Sequence, residues 1–172
     1  EAGCDVNQAD VRGWTPAYVA AQQGHTAALD VLVKSPGCDV NQARKDGETP
    51  AYIAAYQGHT AALDVLVKAD CDVNLADNDG WTPAYVAAQQ GHTAALDVLV
   101  KSPGCDVNQA RKDGETPAYI AAYQGHTAAL DVLVKADCDV NLADNDGATP
   151  AYIAAQEGHT AALDLLVKAG CD

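Results

Sequence analysis

The chain has no methionine and no phenylalanine, and only two tryptophans in 172 residues. It also has few cations: ten Lys and Arg stand against 24 Asp and Glu, for a net charge of −14. Phosphate backbones are gripped by Lys and Arg, so this balance disfavours binding to DNA or RNA. No apolar run approaches the roughly 18 residues needed to span a bilayer, so no transmembrane helix is expected, and no signal-peptide pattern is seen. The chain carries no GxSxG elbow, no phosphate-binding loop and no HExxH pair. Its acids recur as identical residues in identical settings. General acid–base chemistry needs paired acids in contrasting settings. The expectation is a protein without catalytic residues and without a cofactor.

What the chain does have is repetition. Residues 14–80 and 81–147 are identical letter for letter. Within each 67-residue block the pair Thr-Pro recurs, at Thr15, Thr49, Thr82, Thr116 and Thr149, in steps of 34, 33, 34 and 33. The extra residue lies in Lys34–Asp39 and Lys101–Asp106, which read KSPGCD where the shorter units read KADCD. A period near 33 marks a supersecondary unit that cannot bury its apolar face alone and must stack on its neighbours.

Each unit reads as two short helices and a turn. Thr15 suits an N-cap and Pro16 the first helical position, where a missing N–H costs nothing. The first helix is expected over Ala17–Gln23, stopped by Gly24. Ala20 and Ala21 leave little bulk, which permits close approach of a neighbouring helix. The second helix is expected from about Thr26 to Lys34, with Ala28, Leu29, Leu32 and Val33 on one stripe. Asp30 and Lys34 form a solvent-side pair of about 0.2–0.5 kcal/mol. A polar turn at Asp46-Gly47 follows. Neither helix exceeds about ten residues, too short to persist alone in water.

The segments G-x-T-P, A-A-x-x-G-H, V-L-V-K and D-V-N, repeated in five consecutive units over essentially the whole chain, resemble the ankyrin repeat. The resemblance implies an all-α repeat solenoid of stacked helix-turn-helix units joined by β-turn loops. The units fall near 10–43, 44–76, 77–110, 111–143 and 144–172, with 1–9 the tail of a preceding unit. Two departures stand out. The family's T-P-L-H is T-P-A-Y throughout. A core Leu thus becomes Ala17, Ala51, Ala84, Ala118 and Ala151, a loss of about 2 kcal/mol per unit if nothing refills the space. The family's His becomes Tyr18, Tyr52, Tyr85, Tyr119 and Tyr152, and these rings are expected to refill it. Neither end shows a clear polar capping unit, Glu157 and Leu165 being weak signals of one. A segment of a longer array is therefore expected.

Six cysteines share one repeated position: Cys4, Cys38, Cys71, Cys105, Cys138 and Cys171. Equivalent residues of packed helical units lie roughly 8–10 Å apart, beyond the Cα limit of about 7 Å for a disulfide. Reduced, buried thiols are expected, hence a reducing compartment and an intracellular, cytoplasmic location. The histidines at 25, 59, 92, 126 and 159 come one per unit. Zinc needs three or four ligands around one ion, so no metal site is expected. Each His is expected to hydrogen-bond its own loop, a structural position in the family as well.

The resemblance also implies where a partner would bind: the concave face, lined by turn tips and first helices. At the tips this face presents Arg12 and Trp14, then Lys45 and Glu48, then Asn78 and Trp81, then Lys112 and Glu115. From the first helices it presents Gln22 and Gln23, Tyr56 and Gln57, Gln89 and Gln90, and Tyr123 and Gln124. Trp and Tyr are enriched in binding hot spots. Both Trp sit at tips where burial is not required, and either binding or packing on the neighbouring turn would account for them. The acid ladders, Asp30, Asp64, Asp97, Asp131 and Asp164 on helices and Asp39, Asp72, Asp106 and Asp139 in loops, either keep a solvated face soluble or attract a basic partner.

Units with Trp and Gln-Gln alternate with units bearing Glu and Tyr-Gln. The face should therefore repeat its chemistry every second unit, which suits a periodic or long partner. The leading expectation is a protein-interaction module within a larger protein, binding a protein or peptide and neither membrane nor nucleic acid. The alternatives are a self-associating array whose apolar ends stack on other chains, and an engineered scaffold. The odd T-P-A-Y and the 33/34 alternation argue against the latter.

Overall fold

A computed structural model describes residues 4–171 of the chain. Residues 1–3 and 172, placed by the sequence in the leading tail and at the close of the fifth unit, lie outside the described residues.

Each Thr-Pro starts a helix for the expected reason. The Thr15 hydroxyl accepts the Tyr18 N–H at 3.1 Å, and Pro16 holds the first helical position. The same cap recurs at Thr49, Thr82, Thr116 and Thr149. The first helices are α1 (Pro16–Gln22), α3 (Pro50–Tyr56), α5 (Pro83–Gln90), α7 (Pro117–Tyr123) and α9 (Pro150–Gln156). The second helices are α2 (Thr26–Val33), α4 (Thr60–Lys68), α6 (Thr93–Val100), α8 (Thr127–Lys135) and α10 (Thr160–Lys168). Among the described residues there is no strand. First helices pack on first helices and second on second, each pair also packing on itself, so the chain is an all-α solenoid two layers thick. Tight turns link the pairs: the Gly13 N–H bonds the Asp10 carbonyl at 2.9 Å, and the Gly47 N–H bonds that of Arg44 at 3.0 Å.

The core runs unbroken between the layers. Leu29, Leu63, Leu66, Leu96, Leu99, Leu130, Leu133 and Leu166 are fully buried along the second helices. Ala17, Ala51, Ala84 and Ala118 are buried on the first helices. Tyr18 and Tyr85 are 0 % exposed, among the largest fully buried side chains in the fold. Tyr52 and Tyr119 are buried as well, whereas Tyr152, in the fifth unit, is 60 % exposed.

The histidines are structural, but their partner is not their own loop. His59 Nε2 lies 3.1 Å from the carbonyl of Gln22 in the preceding unit; His126 reaches Gln89 at 3.1 Å and His159 reaches Tyr123 at 3.0 Å. A carbonyl only accepts, so Nε2 carries the proton. The preceding glycine makes room. A Cβ at Gly24, whose φ is +67, would sit 2.9 Å from His59 Nδ1. The ring therefore lies flat against the neighbour's helix end rather than folding back. Asparagines make a parallel ladder: Asn7 donates to the Gly37 carbonyl at 2.7 Å and accepts the Asp39 N–H at 2.8 Å, and Asn74 does the same to Gly104 and Asp106.

The cysteines are all free, but they are not uniformly buried. Cys71 and Cys138 are buried; Cys38, Cys105 and Cys171 are half-buried, and Cys4 is exposed. Between Cys38 and Cys71 the loop length makes the difference. In the KADCD units Asp70 takes φ +57 and the Cys71 N–H folds back onto the Leu66 carbonyl at 3.1 Å. In KSPGCD the extra residue redirects the Cys38 N–H to Ser35, 3.1 Å away, and lifts the thiol off the core.

Candidate functional site

The alternation of the two kinds of unit produces two kinds of junction. Where a Trp unit meets the following Glu unit, Tyr18 donates its hydroxyl hydrogen to Glu48 and accepts from Arg44 Nη1 at 2.9 Å. Arg44 Nη1 also bonds Glu48 at 2.8 Å, and Nη2 pairs with Asp46 at 2.6 Å. The Trp14 ring lies 5.8 Å from the Tyr18 ring, and the Arg44 guanidinium sits 5.4 Å from its centre. Trp81, Tyr85, Arg111 and Glu115 repeat the arrangement, with Arg111 4.8 Å from the indole centre. Burial raises the Tyr18 and Tyr85 pKa, and the facing glutamates push the same way. Burial works to lower the Arg44 pKa, but its bond to Tyr18 and the carboxylates around it leave it raised. The other junction is simpler. Tyr52 faces Asp77 and Tyr119 faces Asp144, and burial first, then these acids, raise both phenols.

This geometry sorts the residues that the sequence singled out. Glu48 and Glu115 are held in ion pairs within their own units and take a tyrosine hydroxyl from the unit before. Trp14 and Trp81 are half-buried and packed against the core. Arg12 pairs with Asp10 at 2.9 Å and covers the outer face of Trp14 at 3.7 Å. Lys45 reaches the Val11 carbonyl at 3.2 Å, Lys112 bonds that of Asn78, and Asn78 Nδ2 donates to that of Lys45 at 3.0 Å. The tips are thus laced to one another. On the first-helix layer Gln22 and Gln89 are half-buried, while Gln23, Gln57, Gln90 and Gln124 are exposed. Tyr56 is 38 % and Tyr123 41 % exposed. Their hydroxyls make no hydrogen bond among the described residues.

Arg44 and Arg111, at the centre of the first kind of junction, were not among the residues singled out. The signal was present: Arg44 precedes Glu48, and Arg111 precedes Glu115, by four. All ten cationic side chains are held within the chain. Lys34, Lys68, Lys101, Lys135 and Lys168 pair with the Asp four residues before each. These pairs are exposed and contribute at most about 1 kcal/mol each. The remaining surface charge is carboxylate, including Asp39, Asp72, Asp106 and Asp139, each exposed and accepting an N–H from the Asn two residues on. No helix among the described residues is long and apolar enough to cross a membrane.

Comparison with curated protein sequences gives no match. Comparison with family profiles gives two: "Ankyrin repeats (3 copies)" matches residues 33–111 and 99–172, and "Ankyrin repeat" matches residues 12–45. The chain belongs to the ankyrin-repeat family, whose repeats generally serve as protein–protein interaction modules and are typically non-enzymatic.

Proposed function

We propose that this array binds a basic, extended peptide or protein segment along the exposed side of its first-helix layer, with Tyr56 and Tyr123 as the two anchors. One observation carries the reading. These two tyrosines are the aromatic side chains that the interior of the stack leaves half-open with unused hydroxyls, and they occupy the same place two units apart. Exposed glutamines flank them, which suits hydrogen bonding to a peptide backbone. No cation is free to repel a basic partner, and −14 of net charge draws one in.

Two units span about 16–20 Å at ordinary helix packing distances. An extended chain rises about 3.3 Å per residue, so the two anchors match groups about five or six residues apart. The turn-tip residues Trp14, Trp81, Arg12, Lys45 and Lys112 form the rim of this surface and stiffen it. Six thiols in the unpaired state fit a reducing, intracellular compartment.

Selection of a random displayed peptide library on the purified chain tests this. Enriched peptides should be rich in Lys and Arg, and should lose most of their affinity for a Tyr56→Ala/Tyr123→Ala double variant. Enrichment of acidic peptides, or binding indifferent to both tyrosines, overturns the proposal.

A further inference from the structure

The first-helix layer repeats at the pitch of the stack, about 8–10 Å per unit. Its exposed side chains include Tyr56 and Gln57 in the second unit, Gln90 in the third, and Tyr123 and Gln124 in the fourth. The rings of Tyr56 and Tyr123 are 38 % and 41 % exposed. Between them, Gln90 Nε2 reaches only its neighbour Gln89 Oε1, at 3.3 Å. At the tip of that third unit stands Asp79, exposed and paired with no cation among the described residues.

Each common way of holding a peptide needs something particular from the surface. Strand addition needs a sheet edge, and there is no strand among the described residues. An amphipathic helix needs an apolar groove, but Ile53, Val86 and Ile120 of this layer are at most 5 % exposed. An acidic motif needs free cations, and every Lys and Arg is already held within the chain. Half-open aromatic rings flanked by amide donors suit a polyproline II segment. Such a segment offers proline rings for stacking, and its carbonyls make no internal hydrogen bond.

The pitch agrees. Polyproline II has three residues per turn and rises about 3.1 Å per residue, so one turn is about 9 Å long. One turn therefore spans one unit, and residues six apart lie on the same edge at about 19 Å, the spacing of two units. An extended strand alternates every two residues. Its residue midway between the two tyrosines would face away from the third unit.

We propose that the occupant of this surface is a proline-rich, basic segment in the polyproline II conformation. Prolines six residues apart stack on Tyr56 and Tyr123, and a third proline lies midway over the third unit. This rests on the reading that the first-helix layer takes a basic, extended segment, and it assigns that segment its conformation and spacing. The tyrosine hydroxyls and the amides of Gln57, Gln90 and Gln124 donate to its carbonyls. A Lys or Arg beside the middle proline faces Asp79. A segment already in this conformation loses little freedom on docking.

Fluorescence anisotropy with the full chain and labelled synthetic peptides tests this. The first peptide has three prolines at every third position, two arginines, and serine elsewhere. The second carries valine for each proline, and the third has one serine inserted between the first two prolines. The proline peptide should bind about tenfold more tightly than either control, and Tyr56→Ala/Tyr123→Ala should abolish that preference. Tyr56→Phe, which keeps the ring and loses the donor, should weaken binding less than Tyr56→Ala. A valine peptide that binds as tightly as the proline peptide, both being lost in the double variant, overturns the polyproline II assignment and leaves the basic-segment reading standing. Equal binding of the inserted peptide does the same. Binding of every peptide that ignores both tyrosines overturns the two together, as does no binding of any peptide.

Discussion

The Tyr18 hydroxyl donates to the Glu48 carboxylate across the boundary between two units, and Arg44 holds both oxygens from one nitrogen. The three groups are 26 to 30 residues apart in the chain, except for the Arg44–Glu48 pair. A phenol, a guanidinium and a carboxylate can sit this close to a core because the hydroxyl, Nη1 and the carboxylate pair with one another, although the buried Arg44 Nε has no partner among the described residues.

Arg44→Ala should therefore destabilise the fold by about 3 kcal/mol, since it leaves Glu48 half-buried without its cation. Arg111→Ala should match it, because its surroundings are the same residues in the same arrangement. The two losses should add, the sites being well over 10 Å apart. Urea unfolding of the two single variants and the double variant measures all three.

The tyrosines also set the alkaline limit of stability. Tyr18, Tyr52, Tyr85 and Tyr119 all have raised pKa values, burial being the first cause. A group with a higher pKa folded than unfolded contributes stability that is fully present below its unfolded pKa, about 10 for a phenol. That stability is lost as pH rises beyond it. Melting temperature should be insensitive to these groups up to about pH 9 and fall above about pH 10. Tyr18→Phe, which removes one ionising group, should make the fall less steep.

Two glycines with nearly the same backbone separate strain from contact. Gly125 and Gly158 have φ of +70 and +76, but only at Gly125 would a Cβ strike a neighbour, His159 Nδ1 at 2.6 Å. Gly158→Ala should cost about 1 kcal/mol from backbone strain alone. Gly125→Ala should cost clearly more. Chemical unfolding at low protein concentration gives both values, and equal losses would show that the histidine moves aside freely.

Thiol reactivity should follow burial. Burial pushes the Cys71 pKa up to about 12 and those of Cys105 and Cys138 to about 11. The thiolate is the reactive form. Alkylation with iodoacetamide near neutral pH, followed by peptide mass spectrometry, should label exposed Cys4 first and buried Cys71 and Cys138 last.

Tryptophan and tyrosine on the candidate surface should behave differently. Trp81→Ala removes a ring packed on Tyr85 and approached by Arg111 and should cost about 3 kcal/mol. Tyr56→Ala and Tyr123→Ala, at half-open positions, should change stability by no more than about 0.5–1 kcal/mol. Thermal melts of the three variants check this, and they identify which aromatic substitutions can be used cleanly in binding experiments.

Within one unit, nearly everything could be read from residue order. The Thr-Pro start, the Gly stop, the leucine stripe and the Asp30–Lys34 pair depend on positions at most four or five apart, where helix geometry alone decides which side chains meet. The period near 33, and with it the stacked all-α fold, followed from the impossibility of burying such short helices singly. Between units, sequence order was a poor guide. The partner of His59 is 37 residues back, that of Tyr18 is 30 ahead, and Asn7 reaches 32 ahead. Which group each meets depends on the offset and rotation of one unit on the next, which no periodicity specifies. The same offset drew Trp14 into the stack, left Tyr56 outside it, and let a one-residue difference in loop length bury Cys71 while lifting Cys38. The sequence by itself determined the unit and the need to stack; only the tertiary structure decided which side chains the stacking consumes and which it leaves for a partner.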